Sequence, residues 1–311
     1  DGAANNEGTL QVTGTLKTFS GAIGSTYRVG TLDIDADVDF DSSVASNTVT
    51  LDGAILGATS LSFASTVTIN DDITTTGTQT YNDAVVLGAD VTLTTTDSNI
   101  TFNGTINSNG GTARVLTIDL DANDNGTTAD VTFGDTTADT LGATNPLGAI
   151  IITGDMDLNA AITSAASISV SGTSNLGANV TTSGTQTYTG AVVLEVDTTL
   201  TTTNSNITFS STVDGDGTAR DLTIDTNGNT GTILFDGLVG ASNDLDVIDI
   251  TGNLDLDAAI ANTTSLAVSG TSNLGANVTT TSTQTYQGAV TLSAATVTLT
   301  TTDSDVTFGG T

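Results

Sequence analysis

The sequence predicts an all-β protein, a right-handed parallel β-helix (β-solenoid) with about 20 residues per turn and about 15 turns. Three observations predict this fold: a long internal repeat, short segments in which apolar and polar residues alternate, and the absence of helical patterns. The repeat is marked by Gly-Thr-Gln-Thr-Tyr, which ends at Tyr81, at Tyr188 and, with Ser in place of Gly, at Tyr286. The spacing of these tyrosines (188 − 81 = 107 and 286 − 188 = 98) predicts a super-repeat of about 100 residues.

The order of landmarks is the same in every super-repeat. Phe102, Phe209 and Phe308 follow their tyrosines at a nearly constant spacing (102 − 81 = 21, 209 − 188 = 21 and 308 − 286 = 22). We interpret these phenylalanines and the three tyrosines as structural residues that mark equivalent turns. The predicted organisation is therefore one continuous β-solenoid over residues 1–311, with super-repeats at approximately 1–118, 119–224 and 225–311, the last one incomplete.

Within a super-repeat, short strands are predicted at regular intervals. Ile250, Val268, Tyr286 and Val306 follow one another in nearly equal steps (268 − 250 = 18, 286 − 268 = 18 and 306 − 286 = 20). Segments such as 222–225 alternate with period two, which is typical of strands that bury one face. With a rise of about 4.8 Å per turn, about 15 such turns predict a rod of roughly 70 Å. The alternative is a string of β-sandwich modules, but sandwich strands differ in role, whereas these turns resemble one another.

Composition excludes several functions. Four basic residues against 35 acidic ones give a formal net charge of −31, which argues against nucleic acid and anionic membrane surfaces as partners. The chain has no cysteine and no histidine, which excludes zinc sites, thiol chemistry and disulfides. No apolar run approaches the roughly 20 residues that span a bilayer, so no membrane insertion is expected.

Departures from the repeat predict loops, where repeat proteins usually place specific function. The interval from Phe40 to its tyrosine (81 − 40 = 41) exceeds the interval from Leu158 to its tyrosine (188 − 158 = 30) by 11, so the first super-repeat carries an insertion, around 47–56. A second surplus falls in 121–126, and a third lies near Pro146, the single proline.

The loop at 121–126 fits the opening of a calcium-binding loop, D-x-[DN]-x-[DN]-G, with Asp121, Asn123 and Asn125 as the candidate ligands. The twelfth position is Thr132, where a bidentate Glu is expected. The same residues also fit an ordinary turn of Asn, Asp and Gly. No cofactor is required by the fold, and calcium is the ion that this motif indicates.

Short acidic rows are predicted on the outer surface. One holds Asp37, Asp39 and Asp41, and another holds Asp155 and Asp157. We interpret them as a solvated face, with weak binding of cations at several sites as the alternative. Rows in successive super-repeats are expected to lie five turns apart, which prevents a continuous ladder of acids.

No enzymatic activity is expected. Glycosidase or lyase chemistry on a β-helix needs a carboxylate pair in a cleft, or calcium beside a basic residue. Arg114 and Arg220 occupy equivalent repeat positions, and a catalytic residue has no reason to recur in every super-repeat. Threonine runs such as 94–96 and 201–203 suggest ice binding as an alternative function. Ice binding would need threonines at the same place in successive turns, but these runs fall only in particular turns of each super-repeat.

Four motifs carry a resemblance to a known family. They are Thr-Gln-Thr-Tyr-Thr-Gly-Ala-Val-Val-Leu (185–194), Asn-Ile-Thr-Phe (206–209), Arg-Asp-Leu-Thr-Ile-Asp (220–225) and Val-Ser-Gly-Thr-Ser-Asn-Leu-Gly-Ala-Asn-Val (268–278). They resemble the repeats of filamentous-haemagglutinin-like bacterial adhesins and related β-strand-repeat exoproteins. The resemblance implies a right-handed β-helix in an extracellular or cell-surface fibre. Because the last super-repeat stops in mid-unit, we expect the chain to be a segment of a longer protein.

The predicted function is a non-enzymatic extracellular structural rod, the repetitive shaft of a bacterial surface adhesin or fibre. The alternative is a subunit that polymerises end to end into an extracellular filament or sheath, with calcium as an assisting ion. The expected partners are copies of the chain itself or adjoining repeats of a longer chain. The sequence does not name a host or cell-surface receptor.

Overall fold

A computed structural model shows that the chain is all-β, with parallel strands stacked as a β-solenoid of about 12 turns. It describes residues 7–13, 17–19, 29–35, 38–40, 46–58, 60–124, 126, 128–228 and 230–310. None of these residues lies in a helix, so none forms a helix that could span a membrane. The predicted fold class is confirmed, and the pairings between the described strands are parallel, which rules out the β-sandwich alternative.

Contacts divide the chain into two compact bodies, which separate between Ala165 and Ala166. The strands of the amino-terminal body are β1 (Glu7–Thr13), β2 (Lys17–Phe19), β3 (Val29–Asp35), β4 (Val38–Phe40), β5 (Ser46–Leu51), β6 (Ile55–Ala58), β7 (Leu61–Phe63), β8 (Val67–Ile69), β9 (Ile73–Thr75), β10 (Gln79–Tyr81), β11 (Val85–Leu87), β12 (Val91–Thr94), β13 (Ile100–Phe102), β14 (Ile106–Ser108), β15 (Arg114–Asp119), β16 (Asp130–Phe133), β17 (Thr140–Leu141), β18 (Leu147–Thr153) and β19 (Asp155–Leu158).

Strand β20 (Ala161–Val170) contains the division between the bodies. The strands of the carboxy-terminal body are β21 (Ser174–Leu176), β22 (Val180–Thr182), β23 (Gln186–Tyr188), β24 (Val192–Leu194), β25 (Thr198–Thr201), β26 (Ile207–Phe209), β27 (Val213–Gly215), β28 (Arg220–Asp225), β29 (Thr232–Phe235), β30 (Leu245–Thr251), β31 (Asn253–Leu256), β32 (Ile260–Val268), β33 (Ser272–Leu274), β34 (Val278–Thr280), β35 (Gln284–Tyr286), β36 (Val290–Leu292), β37 (Leu299–Thr300) and β38 (Val306–Phe308).

Each turn of the solenoid contains three strand positions, and each position pairs with the same position one turn later. In the amino-terminal body, β7, β10, β13, β16 and β19 form one such series, which we call the Tyr81 ladder. Most of its strands show buried, partly exposed and buried residues in succession, because alternate side chains point to opposite faces. The inward side chains of all three series form the core.

Turns vary in length, which explains the difference between the predicted 15 turns and the observed number. Leu61 pairs with Gln79 (79 − 61 = 18), but Ile100 pairs with Val131 (131 − 100 = 31). The longer turn carries the loop at 121–126 between β15 and β16, as predicted for this surplus. Residues in a loop of this kind lengthen one turn and do not form a new one.

The carboxy-terminal body shows that one super-repeat is not a whole number of turns. Tyr188 lies in a ladder made by the end of β20, β23, β26, β29, β31, β33 and β36. Tyr286 lies in a different ladder, made by β22, β25, β28, β30, the end of β32, β35 and β38. We call these the Tyr188 ladder and the Tyr286 ladder.

Counting strands gives the size of the super-repeat. The strand numbers give twelve steps from β23 to β35 (35 − 23 = 12). Two further strand positions lie between them. One is Val239, which bridges to Val213 and Ile260, and the other arises because β32 fills two positions, its first half paired with β34 and its second half with β35, so the total is fourteen. Fourteen positions at three per turn are four and two-thirds turns. The expected spacing of five turns is therefore wrong, and equivalent residues of copies two and three face different sides.

The predicted loop at 47–56 is also wrong. This segment contains most of β5 and the start of β6, and Val49, Leu51 and Ile55 are fully buried. The extra residues of the first copy therefore add strand positions to the coil. An insertion that preserves the period-two alternation is accommodated as new strands, because its apolar residues find a place in the core.

Candidate functional site

The repeated Gly-Thr-Gln-Thr-Tyr stretch forms a buried polar network. Gln186 is fully buried, and its amide Nε2 donates to Thr201 O at 2.9 Å, to Val180 O at 3.2 Å and to Thr182 Oγ1 at 3.3 Å. The Tyr188 hydroxyl donates to Gln186 Oε1 at 3.2 Å. Since Val180, Gln186 and Thr201 lie on different strands, one side chain joins three strands of the coil.

The network recurs in all three copies with nearly the same geometry. Tyr81 and Tyr286 donate to Gln79 and Gln284 at 2.9 and 3.1 Å. The corresponding amide contacts are Gln79 Nε2 with Ile73 O, Thr75 Oγ1 and Thr94 O, and Gln284 Nε2 with Val278 O, Thr280 Oγ1 and Thr300 O. Sequence reasoning identified the tyrosines but missed the glutamines and threonines, which are also buried. The available signal was a Thr four positions before each Gln.

Burial sets the chemistry of these tyrosines. It raises the pKa of Tyr81, Tyr188 and Tyr286 well above the usual value for a phenol, because the charged form is desolvated. The phenols therefore stay neutral and act as hydrogen-bond donors. A tyrosine that is fully buried and already paired contacts no solvent-borne ligand, so this arrangement holds strands together.

The marker phenylalanines stack on these tyrosines along the ladders. Ring centroids lie 4.8 Å apart for Tyr81 and Phe102, 5.4 Å for Tyr188 and Phe209, and 5.5 Å for Tyr286 and Phe308. Phe102 and Phe209 are each covered by a further phenylalanine, and both are buried. Phe308 is 53% exposed, since no described ring covers its outer face.

The threonine runs form corners between strands. Thr95 and Thr202 are fully buried and donate to Ser98 O and Ser205 O at 2.5 and 2.7 Å. The intervening Asn204 has a positive φ of 52°, a conformation that Asn tolerates better than most residues. These hydroxyls therefore satisfy backbone groups at the corner, which is a different arrangement from a flat outer array of threonines.

The loop after β15 is held by a hydrogen bond within it and by one to the preceding turn. Asp121 Oδ2 accepts the backbone N–H of Gly126 at 2.9 Å, and Asn123 Nδ2 donates to Asp97 Oδ2 at 2.7 Å. Asn125 lies outside the described residues. Among those that are described, no three His, Cys, Asp or Glu side chains cluster closely enough to hold a metal ion. The calcium loop stays a prediction.

Acids of neighbouring turns lie side by side on the Tyr81 ladder. Asp130 pairs with Asp155, and Thr132 pairs with Asp157. Burial raises the pKa of Asp130, and the charges of Asp155 and Asp157 raise it further. One predicted acidic row therefore has a close neighbour one turn away. In the other row, Asp37 and Asp41 lie outside the described residues.

The two repeated arginines differ in their partners. Arg220 donates to both carboxylate oxygens of Asp216, at 3.2 and 2.8 Å, and these bonds hold the pKa of Asp216 below its usual value. Arg114 has Gly110 in the place of that aspartate, and its Nε is buried without a hydrogen-bond partner. The ion pair of Arg220 thus closes the short connection between β27 and β28, in line with a structural role.

Searches with protein-family models, with curated protein sequences and with solved structures returned no match to this chain. The described geometry is therefore what bears on function. In all three copies the repeated glutamine side chain lies inside the core and joins one turn to the next.

Proposed function

We propose that this chain is a non-enzymatic structural element, the repetitive shaft of an extracellular bacterial surface adhesin or fibre. One observation carries the proposal: the glutamine and the tyrosine that recur in every copy are buried and bonded to each other. Gln186 and Tyr188 exemplify this, because their polar groups are occupied within the coil. Residues retained in every copy for binding or catalysis would instead face solvent.

The mechanism of such a shaft is turn-by-turn addition. Each turn donates and accepts backbone hydrogen bonds with the next, and inward side chains stack on their equivalents. Stability of such arrays is approximately a sum of intrinsic and nearest-neighbour terms, so length grows without new fold information. The net charge of −31 keeps the outer surface solvated and opposes lateral association.

An in-frame deletion tests the shaft function. Removing residues 189–286 joins Tyr188 to Gln287 and deletes one copy in phase with the repeat. We expect the shortened protein to fold and to be displayed at the surface of the producing bacterium with a shorter reach. A deletion of 189–277, which joins the chain out of phase, is the matched control and should misfold. If the in-phase deletion abolishes a catalytic or binding activity while display persists, the shaft is contradicted.

The second candidate function is a subunit that polymerises end to end into an extracellular filament or sheath. Its support is that one turn of this coil stacks on the next through parallel backbone pairing and equivalent side chains, a contact that a turn of another copy of the chain could also make. Electron microscopy of the purified protein distinguishes the two functions, because long filaments support polymerisation and isolated short particles contradict it.

Calcium is proposed as an assisting ion for either function, bound at the loop of Asp121 and Asn123. Support comes from the D-x-[DN]-x-[DN]-G spacing and from the acidic surroundings of the loop. Ion binding there would replace the present bond from Gly126 N to the Asp121 carboxylate.

A further inference from the structure

The connection between β14 and β15 differs from its counterpart in copy two, the connection between β27 and β28, by one residue and one charge. Residues 109–114 read Asn-Gly-Gly-Thr-Ala-Arg, and residues 216–220 read Asp-Gly-Thr-Ala-Arg. In each connection the first residue is followed by a glycine with a positive φ, 72° for Gly110 and 100° for Gly217. The asparagine therefore matches the aspartate, and the additional residue of copy one is the second glycine.

Backbone hydrogen bonds support this match. Asn109 N donates to Leu87 O at 2.7 Å, and Asp216 N donates to Leu194 O at 3.1 Å. The two leucines are separated by the spacing of the marker tyrosines of these copies (194 − 87 = 107). Position 109 is thus the place in copy one where copy two carries the carboxylate that binds its arginine.

The arginine of copy one is without that carboxylate. Arg220 Nε and Nη2 donate to Asp216 at 3.2 and 2.8 Å. In copy one, Asn109 carries a neutral amide and the residue four before the arginine is a glycine. Arg114 Nε is buried with no hydrogen-bond partner in the described part of the chain. Since a buried donor left unsatisfied is costly, a carboxylate at position 109 would relieve Arg114.

The pair Asn109-Gly110 has the chemistry that can supply this carboxylate. The backbone nitrogen of a glycine, which no side chain shields, can attack the side-chain carbonyl carbon of the asparagine before it. The bond from that carbon to the side-chain nitrogen breaks, and ammonia leaves. Water then opens the cyclic imide at either of its carbonyl carbons, and both products carry one new carboxylate. In sum, an amide and a water molecule become a carboxylic acid and ammonia, and no oxidant is needed.

Of the three Asn-Gly pairs that the structure describes, this one has the most open surroundings. Asn109 and Gly110 are both exposed. Apart from its chain neighbours, no atom lies within 4 Å of the place that a Cβ on Gly110 would take. No hydrogen bond to the described residues holds the Asn109 side chain or the Gly110 N–H. The two reacting groups are therefore free to approach each other.

The other two pairs are packed against the preceding turn. Asn103 Nδ2 donates to Asn82 Oδ1 at 3.1 Å, and a Cβ on Gly104 would lie 2.7 Å from a backbone carbon. A Cβ on Gly228, the glycine of the third pair, would collide with Asn204 Oδ1. These contacts restrict the movement that ring closure needs.

We propose that Asn109 is a self-modification site, which loses ammonia by attack of the Gly110 nitrogen and becomes an acidic residue. The new carboxylate binds Arg114 as Asp216 binds Arg220. Copy one thereby acquires by a chemical reaction the ion pair that the sequence of copy two encodes.

Peptide mass spectrometry of the full chain tests the modification. The folded protein is aged at mildly alkaline pH in water enriched in heavy oxygen, so that each conversion is marked by the label. We expect position 109 to convert about tenfold faster than position 103, because Asn103 must first break a hydrogen bond. In urea, where no fold distinguishes them, the two should convert at similar rates. No label at position 109, or equal rates in the folded chain, would overturn the proposal.

Thermal unfolding tests the pairing with Arg114. Asn109→Asp should raise the midpoint by about 1–3 °C, and in an Arg114→Met background the same change should give no gain. Asp216→Asn is the matched reverse change in copy two. It should lower the midpoint by a similar amount, and ageing should restore it, because Gly217 follows. A gain from Asn109→Asp that persists without Arg114, or no gain with Arg114 present, would contradict the pairing.

Discussion

Replacing Gln186 with Met tests whether the buried glutamine-tyrosine network holds neighbouring turns together. The substitution keeps an unbranched side chain of similar volume, so it creates little cavity. It removes the amide that donates to Thr201 O and Val180 O, and the oxygen that accepts from the Tyr188 hydroxyl. An amide nitrogen has two hydrogens, so two donated bonds and one accepted bond are lost.

The magnitude follows from these three bonds. Each contributes about 1 kcal/mol net, and a buried partner left unsatisfied costs about 1–3 kcal/mol. Val180 and Tyr188 are in the core and Thr201 is partly buried, so we expect Gln186→Met to lower the free energy of unfolding by about 3–5 kcal/mol. Tyr188→Phe removes only one bond and should cost about 1 kcal/mol. In the Gln186→Met background the same tyrosine change should be neutral or stabilising, because the hydroxyl has already lost its acceptor.

Urea unfolding followed by far-ultraviolet circular dichroism measures these differences. Thr187→Val is the matched control, since Thr187 lies between the two residues in β23 but points outward. We expect it to change stability by less than about 0.5 kcal/mol. A loss below about 1 kcal/mol for Gln186→Met, or additive effects in the double variant, would refute the proposed role of the network.

Three further predictions follow from buried or charged groups. Ser174 Oγ is buried without a partner, and Val67 holds the same repeat position in copy one, so Ser174→Val should raise the free energy of unfolding by about 1–2 kcal/mol in a urea titration. The raised pKa of Asp130 means that its ionisation weakens the fold as pH rises above the unfolded value of about 3.9; Asp130→Asn should therefore raise the melting temperature at pH 7 and lose this effect below about pH 4. Calcium titrated calorimetrically into chelator-treated protein should release or absorb heat that Asp121→Ala abolishes, and an unchanged isotherm in that variant would contradict the loop as the site.

The fold class was predictable because its signals are local. Alternation of period two specifies strands with one buried face, and the recurrence of Tyr81, Tyr188 and Tyr286 indicates that one structural unit is repeated along the chain. Turn number was less predictable, because the turn from Ile100 to Val131 is much longer than the turn from Leu61 to Gln79. Average spacing does not reveal which residues belong to loops.

The internal organisation of the core was harder to predict for a physical reason. Gln186 is a polar residue, and a period-two pattern does not tell a polar residue that is satisfied inside the core from one that faces water. Similarly, Val49 and Ile55 lie in a segment that looks like an insertion when copies are compared by length. Only strand pairing shows that the segment extends the coil.

Cysteine cross-linking in the carboxy-terminal body tests most directly the claim that the super-repeat spans four and two-thirds turns. The chain has no native cysteine, so introduced pairs report without background. Thr285, next to Tyr286, pairs with Ala267 on the Tyr286 ladder, whereas Asn273 lies on the Tyr188 ladder. We expect Ala267→Cys with Thr285→Cys to form a disulfide on mild oxidation, and Asn273→Cys with Thr285→Cys to remain reduced. The opposite result would place Thr285 on the Tyr188 ladder and contradict the account.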